Sequence, residues 1–282
     1  MPQLDIYQSL WAMELRRPDG KEWKPEECFE KISEAGYRGV CVDPSIDSIE
    51  DYRKLAPLFD EHDLGCLMNA FPTSIEDMVP LLEFAKEMKA PFVNVIGLMF
   101  PLTVDGAIPI IREWLAISRD VGVPILFETH RDCITNDMFF TLQLIDAIPE
   151  MRLCADLSHY VVGREMRDPI SADDQALVDR LIARSDCLQG RVASREQVQI
   201  SVNFPQNAAW VEIFKGWWEA NMRSWRSRAN EDDRLVFLCE LGPPPYGITG
   251  ADGYELADRW EEALLLKQWA QEIWERTGSE NE

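Results

Sequence analysis

The chain has 282 residues, of which 46% are hydrophobic, enough for one sizeable core, and it holds no run of about 18 apolar residues that would cross a membrane. Its 28 basic and 50 acidic residues give a formal charge of −22 spread along the sequence, which opposes a phosphate backbone and excludes nucleic acid as the expected partner. The start, MPQLDIYQSLWAMELRR, lacks the basic-then-apolar order of a signal peptide, and the seven cysteines are odd in number without a CxxC pair, so a cytoplasmic protein with reduced thiols is expected.

Short apolar runs recur along the chain: LDIYQSLW from Leu4, YRGVCVD from Tyr37, LGCLMNAF from Leu64, FVNVIGLMF from Phe92, PILFETH from Pro124, MRLCADLSH from Met151, CLQGRVAS from Cys187 and RLVFLCE from Arg234. Each reads as a strand. Amphipathic segments separate them. Thr73 with Glu76 offers a capping box ahead of Ile75, Met78, Val79, Leu82 and Ala85, and Ser171 with Asp174 opens ADDQALVDRLIA. Trp210, Phe214, Trp217, Trp218 and Trp225 fall at mostly helical spacing, a face for packing or for contact between subunits of a homo-oligomer. Leu256, Trp260, Ala263, Leu264, Ala270, Ile273 and Trp274 mark a final helix. Eight strands alternating with helices imply parallel βαβ units closed into an α/β (β/α)8 TIM barrel, a single domain over residues 1–282. The glycine-rich phosphate fingerprint of a doubly wound sheet is absent.

Active groups of such a barrel stand where its strands end and the βα loops begin. Glu128 ends the fifth strand, Asp156 the sixth and Glu240 the eighth, while Gln189 and Arg191 lie in the seventh. Period-two alternation pairs Leu126 with Glu128, Cys154 with Asp156 and Leu238 with Glu240, so one register aims all three carboxylates inward. Three converging acids repel unless a cation sits among them, and with the amide oxygen of Gln189 they form an all-oxygen set suited to one Mn²⁺ or Mg²⁺ ion. Capping of loop amides or helix N-termini is the competing role for the same acids. His130, two residues after Glu128, faces inward by alternation or pairs with Asp132 or Asp137 in the loop. Further substrate-binding candidates are Trp11 at the end of the first strand, Asn69 at the end of the third, and Tyr246 in the stiff GPPPYGITG wall after Glu240. The segment VASREQVQISVNFPQNAAW after the seventh strand is long and polar, as a lid would be.

The motifs FETH, ADLSH and CELGPPPY, at the ends of the fifth, sixth and eighth strands, resemble the xylose isomerase-like TIM-barrel sugar isomerase/epimerase superfamily, which includes ketose 3-epimerases and inosose dehydratases. The resemblance runs in strand order over nearly the whole chain. It implies one divalent metal held by Glu128, Asp156, position 189 and Glu240, with Glu128 and Glu240 also passing protons on opposite faces of the substrate. It implies too that His159, in a D-x-x-H pattern after Asp156, contacts a substrate hydroxyl, and that Arg195, six residues after position 189, binds substrate. The usual metal-binding histidine is Gln189 here, a weaker ligand. The implied activity is a metal-dependent isomerase or epimerase acting on a small sugar or polyol-derived ketone through an enediolate. The same ligands would serve a dehydratase of the inosose or dehydroshikimate type, and Gln189 leaves room for a retired barrel that only binds a ligand. Three histidines and the acidic charge argue against the endonuclease IV branch, which uses a histidine-rich zinc cluster.

Overall fold

The computed structural model describes residues 1–15 and 21–279. In chain order the strands are β1 (Gln3–Ser9), β2 (Gly39–Val42), β3 (Gly65–Ala70), β4 (Val93–Val95), β5 (Ile125–Glu128), β6 (Leu153–Ala155), β7 (Ser185–Gly190) and β8 (Arg234–Cys239). The helices are α1 (Pro25–Glu34), α2 (Ile49–Arg53), α3 (Ala56–Glu61), α4 (Met78–Glu87), α5 (Val104–Val121), α6 (Met138–Ala147), α7 (Ser158–Gly163), α8 (Ala172–Ile182), α9 (Ala208–Arg226) and α10 (Arg259–Ser279). All eight expected strands are present, each parallel to the next, and β8 returns to pair with β1 from Gln3↔Arg234 to Gln8↔Cys239. The result is a closed (β/α)8 barrel. Among the described residues no helix is long and apolar enough to cross a membrane.

Alternation along the strands divides the core in two. Tyr7, Cys41, Leu67, Leu126, Cys154, Cys187, Val236 and Leu238 pack together inside the barrel. The alternate positions, among them Ile6, Val40, Met68, Phe127 and Phe237, face outward into the larger core against the helices. Trp114 of α5 lies fully buried there beside Phe127, and Trp218 of α9 sets its ring edge-on to Phe237 with 5.2 Å between centroids. The tryptophan-rich face serves mainly for packing: Phe214, Trp217, Trp218 and Trp225 are buried and Trp210 is partly buried against the core.

Two helix starts differ from expectation. Asp77, rather than Glu76, organises the entry to α4, because its carboxylate accepts from the Thr73 and Ser74 amides at 2.8 and 3.0 Å and from the Thr73 hydroxyl at 2.8 Å. Leu256 lies outside α10 and is exposed; the helix begins after Asp258, whose Oδ1 accepts from the amides of Trp260 and Glu261. Ser171 caps α8 as expected, accepting from the Asp174 amide.

The barrel floor is built around Tyr7. Its ring points inward over Gly39 and Gly65, which are register partners of each other, and Gly39 is also opposite Tyr7. A Cβ at Gly39 would stand 2.0 Å from the Gly65 carbonyl oxygen and 2.5 Å from the Tyr7 ring, and the first of these is backbone that cannot rotate away. Gly39→Ala is expected to lower stability by at least about 1–3 kcal/mol through overpacking. Urea unfolding of this variant beside wild type checks it, and an unchanged midpoint would contradict the close strand approach.

Candidate active site

Two residues beyond the inner apolar layer, seven strands present a polar side chain at the mouth: Ser9, Asp43, Asn69, Glu128, Asp156, Gln189 and Glu240 follow Tyr7, Cys41, Leu67, Leu126, Cys154, Cys187 and Leu238. Strand β4 contributes Asn94. These groups form a connected belt. Asn69 donates to Asp43 Oδ1 at 2.8 Å, Asn94 donates to Asn69 Oδ1 at 2.9 Å and to Glu128 Oε2, and Gln189 Nε2 donates to the same Glu128 oxygen at 2.6 Å. Asn69 thus braces Asp43 and Asn94 within the belt.

Arg191 continues β7 inward and links the other side. Its Nη1 donates to Asp156 Oδ2 at 2.7 Å, its Nε donates to the Glu240 carbonyl at 3.0 Å, and its Nη2 lies 3.9 Å from Glu240 Oε2. The Tyr246 ring covers the guanidinium, 5.1 Å from its centroid. Asp156 Oδ1 meanwhile accepts from the Ser158 amide and hydroxyl at the start of α7, which turns His159 toward the site. His159 Nε2 lies 3.4 Å from Asp156 Oδ2 and 3.2 Å from Arg191, and its ring is 4.0 Å from that of His130. Glu128, Asp156, His159, Gln189 and Arg191 are each at most 2% exposed.

A cavity of about 350 Å³ opens above this floor. Its polar lining is Asp43, Glu128, His130, Arg191 and Glu240, and its wall is Trp11, Phe71, Ile96 and Tyr246. Trp11 meets Tyr246 edge-on at 5.4 Å between centroids. The structure therefore brings Glu128, Glu240, His130, Trp11 and Tyr246 to one cavity, with Asp156, Gln189, His159 and Asn69 directly beneath or behind them. Arg195 is elsewhere: the loop after β7 carries it outward to Glu165 at 2.7 Å and to Glu196. That loop is also tied down rather than free, because Gln199 and Gly242 exchange two hydrogen bonds at 2.7 and 2.9 Å. Asp43 and Asn94 were not legible as site residues, since a single polar residue closing or interrupting a strand carries no spacing signal.

Burial and charge separate the four acids. Burial works to raise Asp156, but Arg191, His159 and Ser158 outweigh it and hold the carboxyl below its ordinary range. Burial, then the charges of Glu240 and Asp156, push Glu128 well up, and burial with the Glu240 charge does the same to Asp43. Glu240 is raised by burial, lowered by Arg191 and raised again by Asp156, which leaves it at about 7. Its Oε2 has no hydrogen-bond partner. Burial lowers His130 to about 3, aided by the neighbouring His159, and burial also lowers His159, so both imidazoles are neutral at pH 7.

Two groups of side chains can be tested against a divalent cation. In the all-oxygen group Gln189 Oε1 and Glu240 Oε2 are unpartnered, but both Asp156 oxygens have donors and the Arg191 guanidinium stands between Asp156 and Glu240, where it would repel an ion. Glu128, His130 and His159 do fit, with ligand atoms within 4.8 Å of one another and a buried Nδ1 without a partner on each histidine. This group can hold a divalent metal.

No protein-family model matches the chain, and no curated protein matches it. Solved structures do. A xylose isomerase-like TIM-barrel protein from Mycobacterium smegmatis, in complex with magnesium, aligns over 97% of this chain and 100% of its own at 14% identity with a TM-score of 0.58. An L-ribulose 3-epimerase aligns over 99% and 97% at 10% identity with a TM-score of 0.61. A probable 3-DHS dehydratase involved in petrobactin synthesis in Bacillus anthracis aligns over 94% and 99% at 13% identity with a TM-score of 0.60. The chain therefore shares the TIM-barrel fold of these proteins over essentially its whole length.

The raised acids make stability depend on pH. Folded Glu240 keeps its proton to about 7 whereas an unfolded glutamate loses it near 4.5, so between these values the native state binds more protons and stability falls as pH rises. Glu240→Gln removes this contribution. The decline in unfolding free energy from pH 5 to pH 8, measured by urea titration, is expected to be shallower in the variant; parallel curves would mean that Glu240 titrates as an ordinary surface acid.

Proposed function

We propose that the protein is an isomerase or epimerase of a sugar or polyol-derived ketone, moving a proton beside a carbonyl with Glu128 and Glu240 as the exchanging groups. The observation that carries this reading is Glu240, a buried carboxyl with an unpartnered oxygen at the floor of the cavity and a pKa raised to about 7. A carboxyl in that range both takes and returns a proton at neutral pH. Glu128 lines the same cavity on β5 and is held by Asn94 and Gln189, so its position is fixed while its proton affinity stays high. Arg191 places a permanent positive charge beside the cavity, where it favours negative charge developing on a substrate oxygen. Trp11 and Tyr246 offer apolar faces to a sugar ring, and His130 is a neutral donor or acceptor for its hydroxyls. A divalent metal bound through Glu128 would add Lewis-acid polarisation of the carbonyl.

The L-ribulose 3-epimerase of the same fold supports a ketose as substrate class. The probable 3-DHS dehydratase supports a second reading, in which the deprotonated ketone loses a β-hydroxyl instead of regaining a proton. All seven cysteines are buried free thiols, which suits the cytoplasm.

Incubation with a panel of ketoses and inososes in D₂O, followed by NMR, tests the reading. Wild type is expected to exchange the proton beside the carbonyl of at least one substrate, and Glu240→Gln to slow that exchange about 10²–10⁴-fold with an unchanged far-UV circular dichroism spectrum. Appearance of an epimer or of a dehydrated product then separates the two readings. Absence of exchange across the panel would overturn both.

A further inference from the structure

A cation of the chain itself stands among the oxygen ligands that a metal would take in this barrel. Arg191 is fully buried, is hydrogen-bonded to Asp156 at 2.7 Å, stands 3.9 Å from Glu240 and is closed over by Tyr246. A divalent ion seated among Asp156, Gln189 and Glu240 would lie against this guanidinium, and two cations in a site of low dielectric repel strongly. Gln189 donates its amide nitrogen to Glu128, which fixes the side chain, while its Oε1 has no partner.

Each of two histidines beside this seat has one ring nitrogen without a partner. His130 and His159 stack at 4.0 Å between ring centroids, and each has a buried Nδ1 with no hydrogen bond, a cost that a native site does not normally carry. His159 is 2% exposed, and its Nε2 lies 3.4 Å from Asp156 Oδ2 and 3.2 Å from Arg191 Nη1, which the same carboxylate holds. A carboxylate on one ring nitrogen is the usual backing of a metal-bound imidazole, since it fixes the ring and leaves the other nitrogen's lone pair outward. Glu128 completes the group, and the three ligand atoms lie within 4.8 Å of one another.

We propose that the divalent-metal seat of this protein is Glu128, His130 and His159, displaced from the all-oxygen position that Arg191 fills, with Asp156 as the carboxylate that orients His159. The seat takes a first-row transition ion such as Zn²⁺, Mn²⁺ or Co²⁺ in preference to Mg²⁺, because two of its three donors are imidazoles. Glu240 is left outside the coordination sphere. The inference concerns the metal of the activity proposed above and is tested without turnover, so it stands or falls separately from that activity.

The experiment is calorimetric titration of the metal-stripped full-length protein with ZnCl₂, MnCl₂ and MgCl₂, together with X-ray absorption of the zinc-loaded form. One equivalent of Zn²⁺ is expected to bind at least about 10-fold more tightly than Mg²⁺. His130→Gln and His159→Gln are each expected to weaken Zn²⁺ at least about 10-fold, and Glu240→Gln to leave it within about twofold. The absorption spectrum of wild type, which needs no variant to fold, should show two imidazoles on the ion. Loss of affinity in Glu240→Gln equal to that in the histidine variants, fewer than two imidazoles, or no ion bound by folded wild type would each overturn the proposal.

Discussion

The contact on which the barrel mouth depends is the 2.7 Å ion pair between Arg191 and Asp156, both removed from water. A buried charge is costly unless it is paired and hydrogen-bonded, and here the pairing is thorough on both sides. Asp156 gains the Ser158 amide and hydroxyl besides the guanidinium, and Arg191 gains the Glu240 carbonyl and the face of Tyr246. One side chain from β7 thereby ties together the ends of β6 and β8 and the loop after β8. Taking one partner away would leave the other charged and unsolvated, so the geometry of the cavity floor and the stability of this end of the barrel are the same physical quantity.

That floor exists because strand parity puts it there. The inner layer of Tyr7, three thiols, three leucines and Val236 is apolar and uncharged, and the next inward position on seven strands is polar. The step from one layer to the next is the step from core to site. A slip of one residue in β2, β3, β5, β6, β7 or β8 would turn its carboxylate or amide into the helix-facing core and bring Val42, Met68, Phe127, Ala155, Leu188 or Cys239 toward the cavity. Register is therefore enforced by burial on both faces of every strand, and the site inherits its precision from the same constraint.

The eight strands were legible because each is an apolar run bounded by turn residues, and Glu128, Asp156 and Glu240 were legible because each closes such a run. Parity then gave their direction. What the chain could not convey was how the charges pair across strands. Arg191 is one residue among a polar stretch until β7 is seen to end against Asp156, and Asp43 and Asn94 gain meaning only through Asn69 and Glu128. Arg195 shows the limit from the other side. The resemblance implied a substrate contact for it, six residues after position 189, but the chain leaves the strand at Gly190 before reaching it, and beyond regular structure a matching interval does not fix direction. The tryptophans of α9 carried a helical period, which is equally the signature of a buried face and of an exposed one, and contact with Phe237 decides for the first.

The difference between 2.7 and 3.9 Å at the two ends of one guanidinium separates the roles of two carboxyls. Asp156, in direct contact, is held ionised and can only accept hydrogen bonds, so it serves as an anchor for Arg191 and His159. Glu240, about 1 Å too far for a hydrogen bond through its carboxylate, receives enough positive field to offset part of its burial but not enough to fix its charge. A cation in direct coordination would lower it toward the ordinary range or below. Holding the positive charge on a tethered side chain, whose nearest contact to this residue is the backbone carbonyl, keeps the Glu240 carboxyl within reach of its charge and still free to exchange a proton.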